Sequence, residues 1–392
     1  MKKKTVLIIT VQKAPNFGAC LQAYALWKYI EQRGLDCKVI DLLRPYHKGF
    51  IYTKGFDPLN KYERNWLLNI RIKYIRPFKR YLKKILSVKK QKNNDGLSKR
   101  VLSRYEIFLF EKFNNNISYT KTYKSIGDLY KNPPKADIYI TGSDQLWNPT
   151  QPYSLEPYFL TFVNNGGKRY SYATSIGVSV LSEHTKKLFS KWLIGYDMIS
   201  VRETEAVHII KSITNKKIIR CCDPTFLFPG EYWMQMATDR IIKERYIFVF
   251  SLDYDQRLLE YATSIQNTNK CKIISYQTCY KKTDANKFNL EMIENVGPVE
   301  WLSLINNAEF VLTNSFHGSV FSLLLHTPFR VAISNNRGSR IISLLKDVGL
   351  EHLLLTEKNN NPDIPEIDFE KSDSNIKHMS DFGKNYLNKI LS

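Results

Sequence analysis

Six cysteines in 392 residues is a small number, and none of them sits in a pattern that carries chemistry. Cys20, Cys37, Cys271 and Cys279 are isolated, and Cys221 and Cys222 are adjacent, a poor geometry for a disulfide. Without C-x-x-C or a Cys/His cluster at ligand spacing, buried reduced thiols in a cytosolic protein are expected, and no metal. No stretch approaches the roughly 20 apolar residues that cross a bilayer. The basic start Met1-Lys2-Lys3-Lys4 is followed only by the short apolar run Thr5 to Val11, broken by Gln12 and Lys13 and lacking a cleavage-site pattern, so a secretory signal is not expected. No internal repeat is visible, and the one low-complexity stretch is the polar segment Lys358 to Asp363. Acidic residues are also scarce: 37 Asp and Glu face 58 Lys and Arg, a formal charge of +21. That excess excludes little but calls for an anionic partner, whether a phosphorylated ligand, a lipid surface or nucleic acid.

What is present is ordinary globular material, 43% hydrophobic with 24 Tyr and 21 Phe, on a chain long enough for two domains. The first forty residues read as a βαβ unit: apolar Val6 to Ile9, a turn at Pro15-Asn16-Phe17-Gly18, a helix with Cys20, Ala23, Trp27 and Ile30 inward, a stop at Gly34, and a strand from Lys38. Residues of about 46–125 break the alternation. Between Lys61 and Arg104 fifteen Lys or Arg stand against Glu63 and Asp95, with apolar residues at helical spacing among them. This reads as a basic amphipathic helical insertion, either a solvated cover or a membrane-surface element.

Strand–helix alternation then resumes, with strands expected at Asp137–Ile140, Ser171–Ile176, Met198–Arg202, Tyr246–Phe250, Lys272–Ser275, Glu309–Thr313 and Phe329–Ile333, and a helix from Pro298 to Asn307. The pattern predicts two α/β domains with parallel sheets facing a cleft. The expected boundaries are 1–235 for the first domain, 236–355 for the second, which binds the donor, and 356–392 for a tail helix returning to the first domain.

Three strand ends carry chemistry. Thr313-Asn314-Ser315-Phe316-His317-Gly318-Ser319 joins an apolar strand to an apolar helix, where backbone amides and the helix dipole attract anions. Ser315 and Ser319 add hydroxyls, Gly318 admits a ligand to the backbone, and His317 stands beside the anion. Gly142-Ser143-Asp144-Gln145-Leu146-Trp147 follows another strand; Asp144 could take a proton and Trp147 stack on a sugar, or Ser143 or Asp144 could simply cap a helix. Arg202 ends a third strand, ready for a carboxylate or phosphate or for an ion pair with Glu203 or Glu205. Arg340 opens a late helix and could contact the same anion, or serve simply as a surface cation.

These residues resemble a known family. Asn16-Phe17-Gly18-Ala19 with Leu21-Gln22-Ala23-Tyr24, Gly142 to Pro149, Ser171-Tyr172-Ala173, Ile199 to Glu203, Asp223-Pro224-Thr225 and Thr313 to Gly318 are similar, in this order, to blocks of the polysaccharide pyruvyl transferases. The resemblance implies a GT-B-like pair of Rossmann-type domains. It implies phosphoenolpyruvate as donor and co-substrate, with no other cofactor, and a glycan hexose such as galactose, free or lipid-linked, as acceptor of a cyclic pyruvate ketal. By position, His317 becomes the catalytic histidine and Arg202 the donor-binding arginine, joined by Asn314, Ser315, Gly318, Ser319 and Arg340. Asn16, Gln22, Gln145 and Trp147 fall to the acceptor side, and Asp144 is the candidate base. Some relatives carry an arginine where Ser315 stands, which moves one phosphate contact to Arg340 or Arg337. A nucleotide-sugar glycosyltransferase is the alternative. Nucleic acid is not expected as a partner, since the charge is concentrated in one segment; a cytoplasmic enzyme with contact to anionic lipid at the inner membrane face is.

Overall fold

The computed structural model describes residues 3–45, 47–53, 102–151, 153–164, 166–276, 279–280, 282–333, 338–356 and 363–392. Most of the basic segment, and Arg337, lie outside these residues.

Five strands build the first sheet, with the buried apolar runs of β1 and β4 at its centre. Its elements are β1 (Thr5–Ile9), α1 (Phe17–Glu31), β2 (Asp36–Leu42), α2 (Arg104–Asn114), β3 (Tyr119–Tyr123), α3 (Ile126–Lys131), β4 (Ile138–Thr141), β5 (Lys168–Ser171), α4 (Glu183–Leu193), β6 (Ile199–Val201), α5 (Thr204–Lys211), β7 (Ile218–Arg220) and α6 (Gly230–Met236). The strands are parallel in the order β3-β2-β1-β4-β5. Parallel β6 and β7 continue it through single bridges, Tyr170 to Met198 and Thr174 to Val201.

The second half repeats the plan: β8 (Tyr246–Phe250), α7 (Gln256–Asn269), β9 (Lys272–Ser275), α8 (Lys282–Lys287), β10 (Leu290–Met292), α9 (Pro298–Asn306), β11 (Phe310–Thr313), α10 (Phe316–Leu324), β12 (Phe329–Val331), α11 (Gly338–Val348) and α12 (Phe369–Leu391). Its strands run parallel as β10-β9-β8-β11-β12. In both sheets the order reverses beside the first strand, between β1 and β4 and between β8 and β11, and such reversals open a crevice at the strands' carboxyl ends. Continuous apolar strands such as β8, buried at every residue, are what a sheet covered on both faces demands.

One helix seals the halves together. All of α1 except Lys28 and Glu31 is buried. At its start Phe17 stacks on Trp301 of α9, with ring centroids 5.2 Å apart and planes 8° from parallel, and also meets Phe110, Phe250 and Tyr276. At its middle Tyr24 shares a 2.7 Å hydrogen bond with Tyr232. Helix α12 runs back to the first sheet, where Tyr386 Oη donates to the Ser171 carbonyl at 2.9 Å.

Two expectations need correction. The strand placed over Ser171–Ile176 is β5, Lys168–Ser171, because Ala173 takes a left-handed turn at φ 49° and ends the ladder. The insertion is shorter at its far end than 125: residues 104–114 are α2, capped by a reciprocal Ser103–Glu106 pair, and Tyr119–Tyr123 is the sheet's edge strand paired with β2. The alternation Tyr-Thr-Lys-Thr-Tyr is polar because an edge strand keeps one side in water.

Candidate active site

The carboxyl ends of β1, β4, β6 and β11 converge on one buried carboxylate. Asp223, just after β7, is 1% exposed. Its Oδ1 accepts from Thr225 N at 3.1 Å and Thr225 Oγ1 at 2.8 Å. Its Oδ2 accepts from Ser143 Oγ at 3.1 Å and from Arg202 Nη1, and lies 3.5 Å from His317 Nε2. Burial alone would raise this carboxyl, but His317 first and then Arg202 outweigh it and hold Asp223 far below the usual carboxylate range. Asp223 therefore stays ionised; it holds the guanidinium by a hydrogen bond and stands beside the imidazole, whose Nε2 is buried without a hydrogen bond among the described residues.

Arg202 lies behind the cleft wall, 6% exposed. Its guanidinium carbon is 4.4 Å from the Phe316 ring centroid, a cation–π arrangement. Its Nη2 is 3.8 Å from Asp144 Oδ1 and its Nε 4.0 Å from Glu203 Oε2; both nitrogens are buried without a hydrogen bond. Burial opposes the charge, but Asp223, Asp144 and Glu203 together push the group further up. Asp144 shows the converse: burial raises it, while Arg202, His317 and Arg340 hold it below its ordinary value. The Glu203 carboxylate is the splint of this corner, its Oε1 accepting from Ser175 Oγ, Ile176 N and Gly177 N at 2.9, 2.9 and 3.2 Å.

His317 is the second residue of α10. Ser315 caps this helix, its Oγ accepting from Gly318 N at 3.3 Å, which leaves the amides of Phe316 and His317 without intrahelical partners, as in any first turn. The imidazole packs on Gly18 of α1 so closely that a Cβ there would fall inside the ring at Nδ1. Arg340, near the start of α11, stands 5.7 Å from the Phe316 ring.

In front of these groups lies a cleft of about 1490 Å³. Of the residues singled out in the sequence, Asn16, Asp144, Gln145, Ser315, His317 and Arg340 line it. The others do not. Trp147 cannot stack on a sugar: it is fully buried, parallel to Phe159 at 4.7 Å, with Nε1 donating to the Tyr158 carbonyl. Gln22 is equally buried, its Nε2 donating to Thr10 Oγ1 and the Ala19 carbonyl. Asn314 accepts from Leu252 N and donates to the Asp253 carbonyl, Ser319 Oγ returns to the Ser315 carbonyl, and Gly318 makes room for Thr313. These three donor-side residues build the strand–helix corner, as Ser315 does besides lining the cleft; Asn16 likewise caps α1 through Ala19 N at 3.0 Å.

Sequence reasoning gave no role to Asp223 or Gly18, and to Glu205 only an ion pair with Arg202, where the structure has Glu203 instead. Asp223 stood in the motif Asp-Pro-Thr, but nothing in one dimension connects it to His317. Among the described residues no group of His, Cys, Asp and Glu could hold a metal ion.

The arrangement offers two arginines matched by carboxylates, a histidine beside one of these carboxylates, and a second carboxylate at the cleft surface, which suits proton transfer. Among solved structures the fold is similar to UDP-N-acetylglucosamine 2-epimerase from Rickettsia bellii, at 10% identity and TM-score 0.50, covering 100% of this chain and 96% of that one. UDP-GlcNAc 2-epimerase from Methanocaldococcus jannaschii is 14% identical at TM-score 0.47, covering 96% and 92%. Likeness at these identities concerns the fold, the GT-B arrangement of two Rossmann-type domains. Among curated proteins no significant match is found. A family profile described as polysaccharide pyruvyl transferase matches residues 16–337, which include the site residues from Asn16 to His317 and stop short of Arg340, and the chain belongs to that family.

Proposed function

We propose that the protein transfers the enolpyruvyl group of phosphoenolpyruvate to a hexose of a surface glycan or its precursor, galactose being the leading candidate, and leaves a cyclic pyruvate ketal. The observation that carries this reading is the Asp223–His317 pair at the start of α10, beside Arg202 and Arg340 in a cleft of a member of this family.

The chemistry of an enol ether sets the sequence. His317 gives a proton to the methylene carbon, which becomes the methyl group, and positive character develops on the carbon bearing phosphate. An acceptor hydroxyl adds there as Asp144 takes its proton, phosphate leaves with its bonding electron pair, and the neighbouring hydroxyl closes the ring. Of the two hydroxyl protons, one restores His317 and the other departs with phosphate. Asp144 suits the base role because its charge is retained by Arg202, His317 and Arg340. Arg340 and the first-turn amides of α10 receive the donor's two anionic groups, and Arg202 adds its charge from behind the cleft wall.

The donor is tested by thermal shift. Phosphoenolpyruvate is expected to stabilise the protein in proportion to RT ln(1 + [L]/Kd), and Arg202→Ala to weaken that binding about tenfold or more. Protection by a nucleoside diphosphate instead would replace this reading with glycosyl transfer, and an unchanged affinity in Arg202→Ala would remove that arginine from donor binding.

A further inference from the structure

The cleft holds two carboxylates of opposite character. Asp144 sits among cations, as described above. Glu205, in the first turn of α5, lines the same cleft and forms no ion pair among the described residues; its Oε2 is buried with no hydrogen-bond partner. Glu203, two residues earlier, does not share this condition, since its Oε1 holds the 175–177 loop.

Uncharged polar residues line the cleft around the loop whose amides Glu203, two residues before Glu205, holds. Gln145, Asn148, Gly177 and Ser179 line the cleft with it. Asn148 Oδ1 accepts from Thr150 N and Oγ1, which fixes its Nδ2 as the donor to Gln145 Oε1 at 2.6 Å. Gly177, at φ 66°, passes so close that a Cβ would stand 2.7 Å from Gln145 Oε1 and 2.9 Å from Asn148 Nδ2.

An uncompensated carboxylate repels phosphate and carboxylate groups, so this part of the cleft is unsuited to the donor. It accepts from neutral hydroxyls, and two vicinal hydroxyls can reach one carboxylate together. We infer that Gln145, Asn148, Gly177, Ser179 and Glu205 form the acceptor subsite, and that Glu205 receives hydroxyls of an uncharged hexose. This rests on the reading of the protein as a pyruvyl transferase. It also adds a selection rule: a uronate or a phosphorylated sugar is excluded by the Glu205 charge, while a neutral glycan is admitted.

The test compares Glu205→Gln and Glu205→Ala with the unmodified protein. Initial rates of phosphate release are measured with phosphoenolpyruvate and either methyl β-galactoside or methyl galacturonide. The galactoside KM is expected to rise about tenfold or more in Glu205→Ala, with the phosphoenolpyruvate KM within twofold. Glu205→Gln is expected to shift preference towards the galacturonide, an effect that a merely structural role would not produce. The inference is overturned if the galactoside KM stays within twofold in both variants, or if the phosphoenolpyruvate KM is the one that rises. Saturation-transfer NMR with the galactoside alone separates this from the parent reading. If no glycoside releases phosphate, pyruvyl transfer fails; a galactoside signal lost in Glu205→Ala still upholds the subsite, and a retained or absent signal overturns it.

Discussion

One carboxylate oxygen of Asp223 serves Ser143, Arg202 and His317 at once, so the charge of a single residue sets the geometry of the site. Its carboxyl is held far below the usual range in the folded protein, whereas in the unfolded chain it titrates near pH 4. The stabilisation is therefore complete above about pH 4 and lost as the pH falls further. Asp223→Asn leaves Arg202 buried with its main partner gone, a cost of about 3–5 kcal/mol at neutral pH. Urea unfolding at pH 7 and pH 3 should show the difference between wild type and variant shrinking at the lower pH; a constant difference would contradict the assignment. The thiols form the opposite case. Burial pushes Cys20 and Cys279 up to about 12, chiefly by desolvation, and Cys221 likewise. Native protein at pH 8 should resist iodoacetamide at these three positions and react at all six cysteines once unfolded. Rapid native alkylation at Cys20 would mean the start of α1 opens in solution.

At the scale of elements, the site depends on two helix starts pressed together. Gly18 of α1 gives the His317 ring of α10 its place. Gly18→Ala must displace the imidazole, and overpacking of this kind costs about 1–3 kcal/mol. The expected result is a fall in turnover of more than tenfold with a melting temperature lowered by only a few degrees; a fully active variant would show that the ring is not held there. Which of these contacts could be read in one dimension follows from their physics. Strands β8 and β9 were placed residue for residue, and β11 within one residue, because unbroken apolar runs have few other uses. The corner at Ser315–His317 was legible because strand, polar loop and apolar helix follow each other directly. β5 was placed too late because Tyr172 to Ile176 stays buried past the strand's end, where Thr174 makes only single bridges, to Asp144 and Val201, instead of a continuous ladder. Trp147 misled for a related reason: an aromatic ring beside a functional loop serves a core as readily as a sugar. The roles of Asp223 and Glu205 stayed hidden because they come from residues distant in sequence.

The whole molecule places the cleft between two sheets of the same strand order, closed at the back by Phe17, Trp301 and Tyr24 of one shared core. Such a back wall makes the halves a single structural unit, so Phe17→Ala should destabilise both domains together by about 3–5 kcal/mol, read as one unfolding transition displaced to lower urea. Two separated transitions would show the halves to be independent. Charge acts at this scale too. No helix of the described residues is long and apolar enough to cross a membrane. The excess of Lys and Arg between residues 61 and 104 predicts binding to anionic vesicles that fades with salt; flotation independent of anionic lipid would contradict it. The central claim, that His317 protonates phosphoenolpyruvate for ketal formation, is met most directly by one measurement. Wild type and His317→Gln are incubated with phosphoenolpyruvate and a panel of galactosides, and phosphate release is followed together with the mass of the glycoside. The account predicts phosphate and ketal in equal amounts from the wild type, and a loss of more than a hundredfold in the variant. Ketal formed at a near-normal rate by His317→Gln would contradict it.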